Sequence, residues 1–139
     1  MIVLDSSFLI AYYNMRDAHH AEAARTMVRL ITGEWGRAQL LEYVFLETVT
    51  VLRGRLGLDG ALTAGDKLLE AEEVDFVPCS EIFPDVLTTF RRERADLSFT
   101  DAAIVTVARR DRKGVVATFD RDFLNVSGIT VIPGGSSDL

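Results

Sequence analysis

Five short apolar runs recur along this chain of 139 residues, at 2–5, 38–41, 74–77, 115–119 and 129–132, and helical stretches separate them. A strand with one wet face alternates apolar and polar residues; runs that are apolar rather than alternating belong to strands covered on both faces. The intervening segments, 7–14, 18–32, 44–56, 61–72, 82–93 and 101–112, have the length and composition of helices. Strands interleaved with helices in this way predict an α/β fold: a short parallel sheet with helices on both faces, in three layers. Gly57 and Gly60 predict a break between two helices, and Gly114 reads as the glycine just past the end of the last one. There is no internal repeat or linker, so residues 1–133 are expected to form a single domain and 134–139 a flexible tail.

Charge narrows the function classes. The net charge of −6 argues against a protein that coats nucleic acid through bulk positive potential. It leaves room for a nucleic-acid enzyme with a local basic rim. Arg91, Arg92 and Arg94 cluster before residue 101, and Arg109, Arg110, Arg112 and Lys113 after it. The simpler reading of both clusters is a solvated helix face; the functional one is a set of weak RNA contacts, with Arg91, Arg92, Arg94, Arg109 and Arg110 as candidates. No apolar stretch reaches the ~18 residues of a membrane span, and no secretory leader is apparent. Cys79 is the one cysteine, which excludes an internal disulfide and fits a reducing cytoplasm.

Four acids interrupt or end apolar segments: Asp5, Glu47, Asp101 and Asp120. An ionised side chain there is costly unless compensated, and a divalent cation compensates several acids at once. In open α/β sheets the site lies outside the carboxyl ends of the strands; Asp5 and Asp120 come at or after strand ends. Each acid has a rival reading. Asp5 is a good N-cap for the helix after it. Asp101 closes a capping box with Ser98, which would also orient its carboxylate. Asp120 begins a polar loop in which Asp122 is either a further ligand or a bystander. Glu47 lies off the apolar stripe Phe45, Val49, Leu52 and Leu56. Val44, Leu46 and Val51 nevertheless surround it, predicting a helix buried nearly all round. His19 and His20 lack the companions of a zinc site and read as structural or solvated. Tyr12, Tyr13 and Trp35 read as core aromatics. Dinucleotide, phosphate-loop and serine-hydrolase motifs are missing.

In these residues the chain resembles the PIN-domain family, and more narrowly the VapC-type ribonuclease toxins of toxin–antitoxin pairs. The resemblance rests on Asp5-Ser6-Ser7 after a strand, Asp17-Ala18-His19-His20, and the run from Glu42 to Thr48. It continues through Leu97-Ser98-Phe99-Thr100-Asp101-Ala102 and Thr118-Phe119-Asp120-Arg121-Asp122-Phe123. It implies an acidic quartet of Asp5, Glu47, Asp101 and Asp120, supported by Ser6 or Ser7 and Thr118, with Asp122 and Glu42 as uncertain additions. It also implies a nuclease, a hydrolase that cleaves RNA with Mg²⁺ or Mn²⁺. A homodimer, and inhibition by an antitoxin segment laid across the active-site groove, are implied as well. Oxygen-only ligands suit those hard cations better than zinc. The principal alternative is a catalytically idle PIN-like module that works by binding protein. A receiver-like phosphoacceptor fits less well, because it wants a second acid beside Asp5 and a lysine where Arg121 stands.

Overall fold

A computed structural model describes residues 1–133; the expected tail, 134–139, lies outside the described residues. Five strands form one parallel sheet: β1 (Ile2–Leu4), β2 (Ala38–Leu41), β3 (Val74–Val77), β4 (Val115–Ala117) and β5 (Thr130–Ile132), in the order β3-β2-β1-β4-β5. Ile2 pairs with Ala38 on one side and Val115 on the other, so β1 is central. All three residues of β1 and of β4 are buried, as non-alternating runs require. The α/β expectation holds, and each strand lies within two residues of its predicted bounds.

The helices are α1 (Ser6–Tyr13), α2 (His20–Ile31), α3 (Glu42–Glu70), α4 (Cys79–Arg92) and α5 (Phe99–Ala108). The two helices expected at 44–56 and 61–72 lie within α3 and are separated at Gly57, as expected: its φ of 79° and ψ of 175° are not helical and suit glycine alone. The core collects Phe8 and Leu9 of α1, Leu30 of α2, Val44 of α3, Ile82 and Val86 of α4, and Ile104 and Val105 of α5 against the sheet. Each large side chain of this kind contributes roughly 1.5–3 kcal/mol by leaving water. Among the described residues no helix is long and apolar enough to cross a membrane.

Three sequence expectations need correcting. The first turns of α3 are not apolar all round. Their buried face is Val44, Thr48 and Leu52, while Leu46 and Leu56 are exposed and Glu47 faces solvent. Of the apolar stripe Leu52 is buried and Phe45 packs on the core, but an apolar side chain does not by itself distinguish a core position from a surface one, as Leu46 and Leu56 show. Gly114 does not cap α5, which ends at Ala108 with Arg109 as its C-cap. Gly114 is needed instead for a close approach, since a Cβ there would lie 2.5 Å from the Gly128 carbonyl oxygen. Finally, Asp120 opens a 3-10 turn (Arg121–Asn125) rather than an irregular loop, and the buried Phe123 anchors that turn.

Candidate active site at the carboxyl edge of the sheet

The chain leaves β1 toward β2 and leaves β4 toward β5, so the β1–β4 junction is where the winding of the sheet reverses. A crevice opens outside the strand ends at such a point. Asp5 follows β1 and stays in the ladder, its N–H donating to the Ala117 carbonyl at 3.0 Å. Only 4% of its surface is exposed. It stands at the N-cap position of α1, yet its side chain makes no capping bond. Its Oδ2 instead accepts from Ser7 Oγ at 2.8 Å and from Thr118 Oγ1 at 2.6 Å. The same hydroxyls gather the end of β4: Ser7 Oγ accepts from the Phe119 N–H, and Thr118 Oγ1 from the Asp120 N–H, both at 2.9 Å. Of the adjacent serines it is therefore Ser7 that bonds the carboxylate, while Ser6 is buried beside it.

Burial pushes the Asp5 carboxyl above its ordinary range. The hydroxyl bonds and the Ser6 backbone oppose that push, and the Glu47 charge adds to it. Asp101 is raised as well, first by burial, then by the charge of Asp5 and more weakly by that of Asp120, against its bonds to Ser98. The capping box is present: Ser98 Oγ accepts from the Asp101 N–H at 3.1 Å, and Asp101 Oδ2 from the Ser98 N–H at 3.3 Å. Asp120 Oδ1 accepts from the Asp122 N–H at 2.9 Å and so caps the 3-10 turn, with Asp122 itself exposed. Three acids are thus held by hydrogen bonds, each through one named oxygen: Asp101 and Asp120 by neighbours in sequence, Asp5 also by the distant Thr118. Glu47 differs: it is exposed on α3, and its tie to the group is the field it exerts on Asp5.

Among the described residues no three His, Cys, Asp or Glu side chains stand close enough to hold a metal ion together. The chemistry of the donors nonetheless fits one. They are carboxylate and hydroxyl oxygens only, the preference of Mg²⁺ and Mn²⁺. The two raised carboxyls also mark a place where a positive charge is favoured.

The remaining candidates separate. Glu42 Oε1 accepts from the Cys79 N–H at 2.9 Å and clips the start of α4 to the start of α3. Arg109 is bonded to the Ser127 carbonyl and paired with Glu93 at 3.0 Å. Arg110 meets Asp85 at 3.3 Å, so both of these guanidiniums are engaged within the fold. Arg91 and Arg92 lie exposed in the last turn of α4, with Arg94 exposed just beyond. His20 bonds the Ala11 carbonyl through Nδ1 at 2.9 Å, as its structural reading expected. His19 was underrated: its ring stacks on Phe119 with centroids 4.4 Å apart, next to Asp120. Only the juxtaposition of residues a hundred positions apart could have revealed it.

A family model for the PIN domain matches residues 2–129. A "VapC ribonuclease" of Archaeoglobus fulgidus is 28% identical over 51 residues, covering 37% of this chain; the match spans about a third of that relative's length, 33%. The crystal structure of Mycobacterium tuberculosis VapC20, described as a sarcin-ricin loop cleaving toxin, superposes with a TM-score of 0.76 at 25% identity. That match covers 92% of this chain and 96% of VapC20.

Proposed function

We propose, since this chain belongs to the PIN domain family, that it is a VapC-type endoribonuclease and the toxin of a toxin–antitoxin pair. In this reading Asp5, Asp101 and Asp120, joined by Glu47, hold Mg²⁺ or Mn²⁺. The bound ion would supply a water of lowered pKa and a positive charge for the scissile phosphate. The protein's own work is positioning. Ser7 and Thr118 fix the Asp5 carboxylate through Oδ2, Ser98 fixes Asp101, and the turn after Asp120 fixes that side chain. Held in advance, these charges need not reorganise as the phosphate reacts. Arg91, Arg92 and Arg94, exposed on one stretch of chain, are suited to flanking phosphates. Likeness to the VapC proteins supports an antitoxin partner; a homodimer and action in the cytoplasm complete the proposal.

The observation that carries this reading is the Asp5 carboxylate at the reversal of the sheet, raised chiefly by its burial and least by the charge of Glu47, and itself raising Asp101. RNA cleavage by the purified protein tests it. Cleavage is expected with Mg²⁺ or Mn²⁺ and none in EDTA; equal cleavage in EDTA would remove the metal from the reaction. A protein inert towards every RNA offered, with the ions bound, would favour the idle module.

A further inference from the structure

Beside Asp120 lies a cavity of about 240 Å³ lined by His19, Glu22, Phe119, Arg121 and Leu124 among others. It is smaller than the roughly 300–1,000 Å³ of sites for drug-sized ligands, which suits a single flat ring system rather than a length of chain. One wall is the end of a ladder of aromatic rings. Phe8, buried in the core, stacks on Phe119 at 6.2 Å and 24°; Phe119 stacks on His19 at 4.4 Å and 10°. The third ring, His19, is exposed. It is held in register by its backbone N–H, which donates to Asp17 Oδ1 at 2.9 Å. A ladder anchored in the core and ending in an open imidazole is a stacking platform.

The lining of the cavity is mixed in charge: the Arg121 cation and the Glu22 and Asp120 carboxylates all border it. Such a lining does not favour a phosphate. It suits a neutral ring with both donor and acceptor edges, since Glu22 can accept from an amino group and Arg121 can donate to a ring nitrogen or carbonyl. From the stack, the volume and the mixed charges we infer that this cavity takes one unpaired nucleobase of the substrate, stacked in continuation of the His19–Phe119 ladder. Asp120 is shared with the cavity, so the base belongs to a nucleotide near the scissile phosphate. This inference rests on the ribonuclease reading and deepens it, because it makes the substrate single-stranded at that position. Unpaired bases splayed onto protein rings are the usual way in which single-stranded RNA is held.

The test is binding rather than turnover. Fluorescence anisotropy of a labelled single-stranded oligoribonucleotide, in EDTA, is measured for the full-length protein and for His19→Ala and His19→Phe. Each is measured against RNAs carrying one abasic site at successive positions. Stacking predicts about tenfold weaker binding for His19→Ala and near-parental binding for His19→Phe. One abasic position should cost as much as His19→Ala and cost nothing further when combined with it. His19 is exposed, so both variants are expected to fold, and thermal unfolding confirms it. Tight binding by the parent with additive losses at every position would overturn the base pocket while leaving the nuclease reading intact. Failure of the parent to bind any RNA in EDTA would overturn the base pocket, and cleavage with Mg²⁺ or Mn²⁺ then decides the nuclease reading by itself.

Discussion

Asp5 and Glu47 carry the same charge and act on each other, yet the fold treats them differently. Asp5 is 4% exposed, continues a strand ladder and receives two hydroxyl bonds on one oxygen. Glu47 stands on the solvent side of α3, and no hydrogen bond to its side chain occurs among the described residues. Asp5 is fixed by β1, α1 and β4 together; Glu47 is exposed on α3 and has no such ties. Removing either charge should damage function, and removing the first should also change how stability depends on pH.

The largest effect is expected at the rigid acid. Asp5→Asn should lower metal-dependent RNA cleavage about a thousandfold, on the order of 4 kcal/mol in barrier, as read by initial rates on a labelled RNA. It should still fold, because the single oxygen of the amide can accept both hydroxyl bonds. A variant that cleaves at the parental rate would reduce Asp5 to a structural residue. Thr118→Val comes next: it strips a buried carboxylate of one of its two hydroxyl donors and should cost roughly 1–3 kcal/mol in urea unfolding. No loss would show that Ser7 alone suffices.

How far the sequence revealed these differences depends on the kind of signal. Asp5 and Asp120 were legible because a strand end is marked by where an apolar run stops, and the capping box at Ser98 and Asp101 because it is local. The hydroxyl network was legible only in part. Ser7 and Thr118 were named as supporting residues, but their shared hold on Asp5 joins positions 111 apart and depends on β1 pairing with β4. Glu47 was placed in the quartet but given the wrong surroundings. Leu46 and Leu56 made α3 look buried when they in fact lie on its surface. Arg109 and Arg110 looked free for RNA, since their partners Glu93, Ser127 and Asp85 come together only in the folded chain.

Acidity sharpens the contrast with a smaller effect. Asp5 and Asp101 have folded-state carboxyls raised mainly by burial. Their neutral forms are therefore the better accommodated. The stability they contribute is full below the ordinary carboxylate range and is lost as pH rises through the raised values. In EDTA, lowering the pH from neutral while staying above roughly 4 should raise the unfolding midpoint through these two groups. Asp75, held low by its bond to Arg37, stays ionised across that window. The rise should shrink in Asp5→Asn, and an unchanged rise would place its origin elsewhere. The smallest effect belongs to the exposed acid: Glu47→Gln should change folding stability by no more than about 0.5 kcal/mol while still slowing cleavage. A large loss of stability would mean that Glu47 is tied into the fold.

Whether these acids hold a divalent cation is tested most directly by titrating Mn²⁺ into the metal-free protein and following binding calorimetrically, with thermal unfolding at each point. Saturable binding is expected for the parent, with a stabilisation of about 2.7 kcal/mol when free Mn²⁺ reaches a hundred times its Kd. Asp5→Asn, folded but lacking the buried charge, should show neither. Equal binding by parent and variant, or no binding at millimolar Mn²⁺, would contradict the metal site at the β1–β4 junction.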